Sequence, residues 1–251
     1  MMPFKKDTVF VFIQTLFPEL NENEAIFISL SARAKYLSSK EKTHYALGRN
    51  EMFHRKWFTG EEVAAEKVEQ YLENVSVDHQ SLSLRDFADK KGNHIPLHAL
   101  STYININPSD LRKATFQLQQ KIQGMMLKEL SGQEVDYTTI QSLLNTQVQK
   151  SRSRRLWTDI DMDFPVSPPR NDVIDQVLSL LPASDTLILK THSGYHLVVR
   201  NTALKEYKIN LGEVIKDLNS IYPEATEIKI NENAMVPLPG TLQGGTYVEW
   251  V

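Results

Sequence analysis

WTDIDMDF, residues 157–164, sets aspartates at 159, 161 and 163 in an otherwise apolar stretch. Alternation of this kind predicts a strand, and in a strand residues two apart share a face at about 6.6 Å spacing. Trp157, Asp159, Asp161 and Asp163 then point one way, and Leu156, Thr158, Ile160 and Met162 the other. Carboxylates gathered on one rigid face repel one another unless something positive sits between them. The usual partner is a divalent cation held by oxygen ligands. Asp159 and Asp161 are therefore expected to ligate metal, whereas Asp163, beside Phe164-Pro165, also reads as a solvent-facing acid.

Working outward, LILKTHSGYHLVV at 187–199 reads as two apolar strands joined by a tight turn. Gly194 permits conformations or close approaches that a Cβ would block. Backbone amides of such a turn, with the Ser193 hydroxyl, suit phosphate oxygens. His196 falls on the strand face opposite Tyr195, Leu197 and Val199; His192 reads as a structural residue of the turn. A helix capped near Asn171 (Val173, Ile174, Val177, Leu178, Leu181), another at 211–222, and short strands around IKI and YVEWV complete this half. Strand, helix, strand, strand, helix, strand is a ferredoxin-like order.

The N-terminal half also mixes periodicities. AIFISL, 25–30, reads as a strand, and 61–72 as an amphipathic helix with Val63, Ala64, Val68, Tyr71 and Leu72 on one side. A strand from Leu100 runs into Asn107-Pro108, with Ser109 or Asp110 capping the next helix. That helix puts Leu111, Ala114, Leu118, Ile122, Met125 and Met126 on one face, and both methionines are expected in the core. The polar stretch from about Gly132 to Arg155, with a weak helical segment at Ile140–Val148, marks a boundary between modules 1–150 and 151–251. The opening MMPFKKDTVFVFIQTLF is broken by Gln14 and Thr15 and lacks a small-residue cleavage site, so it reads as a buried strand or helix.

The 251 residues contain no Cys, so a metal must be held by Asp, Glu, His or backbone oxygens, and a reducing cytoplasm suits the chain. No stretch approaches the roughly 20 apolar residues of a membrane span. With a net charge of −3, nucleic-acid binding would need local basic patches. KSRSRR at 150–155 is one, and Arg33, Lys35, Lys40, Lys42, Arg49, Arg55 and Lys56 form another. Taken alone, each is first a solvated surface.

DID at 159–161, SGYH at 193–196 and VPLPGTLQGG at 236–245, in that order, resemble the three motifs of the archaeo-eukaryotic primase superfamily of primases and primase-polymerases. YININPSDLR at 103–112 is similar to a strand-to-helix Asn-Pro element of the same fold, although Ser109 stands where Arg is expected and no Arg or Lys adjoins Pro-Gly-Thr. The resemblance implies an α/β (mixed α+β), primase-like fold: a ferredoxin-like, or RRM-like, catalytic module at 151–251 and an N-terminal α+β module at 1–150 forming the other wall of a cleft. It implies template-directed nucleotidyl transfer on single-stranded DNA from nucleoside triphosphates, with Mg²⁺ or Mn²⁺ and a helicase or other replication protein as companion. Asp159, Asp161 and a third acid, Glu227 in preference to Glu232, would hold the metals. His196, Ser193, Gly194 and Lys190 would contact the nucleotide, and Arg152, Arg154 and Arg155 the nucleic acid. A primase-like nucleic-acid-binding protein without catalysis, and a DxD sugar-nucleotide transferase, remain open as alternatives.

Overall fold

The computed structural model describes residues 4–48, 51–60, 63–80, 88–165, 172–231 and 235–251. The opening apolar run is helix α1 (Lys6–Leu16), whose buried Val9, Phe12, Ile13 and Leu16 follow helical spacing. Strand β1 (Glu24–Ala32) contains AIFISL and is buried along its whole length, because it lies in the middle of a sheet. The helical turn α2 (Ser39–His44), closed by a capping box at Ser38 and Glu41, leads to β2 (Glu51–Thr59) and α3 (Val63–Gln80). The predicted start of α3 at Glu61 lies outside the described residues; Val68 and Leu72 are buried as expected. Next come β3 (Leu100–Asn105), β4 (Ser109–Asp110), α4 (Leu111–Leu130), capped by Asp110, and α5 (Ile140–Lys150).

Met125 and Met126 do not join the core: the first is half-buried and the second exposed. Only the first turns of α4 pack down, where Ala114 and Leu111 meet Phe27, Trp57 and Val148. The rest of this helix, about 30 Å long, has too little neighbouring structure to cover its apolar side.

The acidic stretch is β5 (Trp157–Asp163), followed by α6 (Val173–Leu180), β6 (Thr186–Lys190), β7 (Gly194–Arg200), α7 (Asn201–Glu206), α8 (Leu211–Ile221) and β8 (Glu227–Asn231). The expected cap near Asn171 lies outside the described residues. These strands line up as β6-β7-β5-β8, all antiparallel, which is the ferredoxin-like arrangement that the element order predicts. Ile160, Met162, Leu197 and Val199 face α6 and α8, packing on Val173, Val177, Val214 and Leu218. Trp157, Leu187, Leu189 and Val198 turn the other way and share a core with α1 and β1.

The chain then returns to the first sheet. Strands β9 (Met235–Pro237), β10 (Leu242–Gln243) and β11 (Thr246–Tyr247) follow, and β12 (Glu249–Trp250) crosses back to pair with β6. β9 and β10 both pair with β3, giving the order β11-β10-β3-β1-β2. Residues beyond 231 thus serve both sheets. The architecture is mixed α and β with two antiparallel sheets, and among the described residues no helix is long and apolar enough to cross a membrane.

Candidate active site: an acidic and basic cleft between the sheets

The register of the second sheet decides what the aspartates meet. On one side Asp161 stands opposite His196; on the other, Asp159, Asp161 and Asp163 stand opposite Asn231, Lys229 and Glu227. The face carrying these residues opens on a cavity of about 460 Å³. Arg33, Lys35, Tyr103 and Gln243, from the first sheet and its loops, form the opposite wall.

Asp159 does not line this cavity. It is wholly buried, and its carboxylate is taken up by His196 Nδ1, 3.0 Å away, and by Asn231 Nδ2, which donates at 3.1 Å. The other ring nitrogen of His196, Nε2, lies 3.6 Å from Asp161. Burial works against charge on His196, but Asp159 and Asp161 outweigh it and push its pKa up to about 9, so the ring is an imidazolium at neutral pH. Asp161 is raised above the usual carboxylate range, mainly by burial, with Asp163 and Asp159 adding to the effect and His196 opposing it.

Asp161, Asp163 and Glu227 are the carboxylates that reach the cavity. Glu227 is exposed and ion-paired with Lys229. Asp163 and Glu227 face each other across adjacent strands, an unfavourable placement for like charges unless a cation joins them. Among the described residues no three acids or imidazoles converge as a closed metal cage would require. The donor chemistry nevertheless fits Mg²⁺ or Mn²⁺, since Mg²⁺ is commonly bound by one or two carboxylates together with water and substrate phosphate. An ion in this cavity would meet Asp161, Asp163 and Glu227, whereas Asp159 is taken up by His196 and Asn231.

The turn at 191–193 is closed upon itself and its neighbours. Thr191 N donates to Gly194 O at 2.8 Å, Phe164 N to Ser193 O at 2.8 Å, and Ser193 Oγ to Asp163 Oδ1 at 3.4 Å. Gly194 is required for close approach: a Cβ there would sit 1.8 Å from the Met162 carbonyl oxygen. His192, expected to serve the turn locally, instead ties it to the first sheet. Its backbone N–H donates to Gln243 Oε1 at 3.4 Å and its ring meets Tyr36 edge-on at 5.7 Å.

Lys190, at the end of β6, pairs with Tyr195 and Glu249 in the sheet and is not part of the cavity lining. Nor does the structure bring the 152–155 arginines to the cleft. They precede Trp157, at the end of β5 away from Asp163, about 20 Å along a seven-residue strand. Arg152 bridges to Ser109. Arg154 grips the buried Glu24 with Nε and Nη2, each at 3.0 Å. Arg155 is exposed beside a separate pocket of about 180 Å³ that it shares with Arg200. Conversely, the basic residues and the Tyr103 strand of the N-terminal module are expected from the sequence on the other wall of the cleft, and Arg33, Lys35 and Tyr103 do line the cavity. Glu232 lies outside the described residues. Compared with known proteins, the chain matches no family model, no curated protein and no solved structure.

Proposed function

We propose that the chain is a template-directed nucleotidyltransferase of the primase and primase-polymerase kind, using single-stranded DNA, nucleoside triphosphates and Mg²⁺ or Mn²⁺. The observation that carries this reading is the two-walled cleft, with Asp161, Asp163 and Glu227 on one side and Arg33 and Lys35 on the other. A metal-bound triphosphate makes both demands at once, oxygen ligands for the cation and positive charge for the phosphates. The volume of about 460 Å³ lies within the range of small-ligand sites.

In this reading Arg33 and Lys35 neutralise phosphate oxygens, Arg33 through the fixed fork of its guanidinium. His196, charged and braced by Asp159, donates from Nε2 into the space beside Asp161. Lys229 restrains Glu227. Asp161 and Asp163 would hold the divalent ion, which when bound would neutralise charge at the reacting phosphate and favour ionisation of the attacking hydroxyl.

The test is incubation with primed and unprimed single-stranded DNA, each metal and labelled nucleotides, with products resolved by length. Template-dependent products are expected. Asp161→Asn and Asp163→Asn should each lower incorporation by roughly 10²-fold or more, as expected for loss of electrostatic stabilisation of the transition state, without loss of fold. Transfer without a template would favour the sugar-nucleotide reading. DNA binding that ignores metal and nucleotide, with no incorporation, would favour a primase-like body without catalysis.

A further inference from the structure

Tyr103 stands on the cavity wall facing the carboxylates, and its phenolic oxygen receives two N–H donors. Arg33 Nη1 donates at 2.7 Å and Gln243 Nε2 at 3.4 Å, while the Arg33 guanidinium also lies over the ring, 5.7 Å from its centroid. Two donors on one phenolic oxygen, one of them cationic, favour the ionised form, just as hydrogen bonds to any anion do. Burial opposes ionisation, but Arg33 first, then Gln243 and the charge of Lys35, outweigh it and hold this phenol below its ordinary value of 10, while burial and the neighbouring Tyr103 hold Tyr36 above its own. A residue prepared in this way accepts a proton.

The other groups in the cleft are poorly suited to that task. His196 has both ring nitrogens turned to carboxylates, Nδ1 to Asp159 at 3.0 Å and Nε2 to Asp161 at 3.6 Å. Asp161 and Asp163 are the acids placed to bind metal. Tyr103 faces them from the opposite sheet, as a group must if it is to reach a hydroxyl lodged between the walls.

We propose that Tyr103 is the proton acceptor of the reaction; this rests on the nucleotidyl-transfer reading above. The 3′-hydroxyl oxygen forms a bond to the α-phosphorus of the nucleotide as the bond from that phosphorus to the bridging oxygen breaks and pyrophosphate leaves. The hydroxyl proton passes to the Tyr103 oxygen and then to solvent.

The test compares wild-type protein with Tyr103→Phe, which removes one oxygen and keeps the ring, with thermal unfolding used to confirm the fold. Wild-type incorporation should rise with pH to a plateau. Tyr103→Phe should lower kcat by roughly 10²- to 10⁴-fold, change the nucleotide KM little, and abolish the rising limb. Separately, near-ultraviolet difference absorbance should show one of the nine tyrosines ionising ahead of the rest, missing in Tyr103→Phe and delayed to higher pH in Arg33→Met. A Tyr103→Phe protein that works at the wild-type rate, or tyrosines that all ionise together, would overturn the assignment while leaving the nucleotidyl-transfer reading intact. A wild-type chain that incorporates nothing on any template would overturn both.

Discussion

The guanidinium of Arg154 reaches both oxygens of Glu24, whose side chain is only 2% exposed, and its Nη2 also donates to the Glu19 carbonyl at 2.7 Å. Arg154 is itself 39% exposed, and without it Glu24 keeps the Ser153 hydroxyl and the Asn21 N–H. Arg154→Ala should therefore cost about 1–3 kcal/mol in a denaturant titration, whereas Arg155→Ala, at an exposed side chain, should stay within about 0.5 kcal/mol. Glu24 also supplies a pH signature. Burial pushes its carboxyl up, but the Asn21 backbone N–H, Ser153 and Arg154 outweigh this and hold it below its ordinary value of 4.5. The stability it contributes is present above 4.5 and is lost as pH falls through the lowered folded value. Unfolding midpoints measured across the acid range should fall less steeply in Glu24→Gln than in the wild type; parallel curves would contradict the assignment. KSRSRR declares its charge in the sequence, but the acid that takes up Arg154 is 130 residues away along the chain. No local pattern announces that pairing.

At the scale of elements, α4 and the β5–β7 strands of the second sheet respond to substitution in opposite ways. Phe116, Met126, Leu127 and Leu130 of α4 are exposed, so their apolar character is not packing. Leu127→Lys should change stability by no more than about 0.5 kcal/mol. Ile160→Ala, at a wholly buried position under α6 and α8, should cost about 2–5 kcal/mol. At Gly194 the obstacle to a Cβ is the Met162 backbone carbonyl, which cannot swing aside as a flexible side chain can. Gly194→Ala must displace the end of β7 from β5, and about 1–3 kcal/mol of overpacking cost is the least expected. Thermal unfolding of the three variants measures the contrast. Periodicity located α4 correctly and misjudged its burial, because a helix displays the same stripe whether or not something lies against it.

At the scale of the whole molecule, Asn107 joins the two sheets. It is 3% exposed; its Oδ1 accepts from Leu156 N at 2.6 Å and Trp157 N at 2.9 Å, and its Nδ2 donates to Trp157 O at 2.9 Å. Trp157 Nε1 in turn donates to Leu16 O at 3.0 Å. Asn107→Ala leaves three backbone groups without these partners, at about 1–3 kcal/mol for each one that stays buried. Because β9, β10 and β12 also stitch the sheets together, unfolding should remain a single transition shifted to lower denaturant. Tryptophan fluorescence and far-ultraviolet circular dichroism should give the same midpoint. Separate midpoints would mean that the sheets unfold independently.

The sequence by itself determined whatever depends on near neighbours: the shared face of Trp157, Asp159, Asp161 and Asp163, the opposite face taken by Ile160 and Met162, the place of His196 across from Tyr195, and the strand and helix order that folds as a ferredoxin-like sheet. These follow from the two-residue repeat of a strand and the 3.6-residue repeat of a helix. Only the tertiary structure decided that Asp159 lies buried behind His196, that Arg33 and Gln243 both bond to Tyr103 on the facing wall, and that residues 235–247 return to the first sheet. Those outcomes depend on register and on contacts between distant segments. Arg33 and Tyr103 are 70 residues apart, and Tyr103 and Gln243 are 140 apart. A local repeat says which face a side chain takes, but not what the rest of the chain brings to meet it.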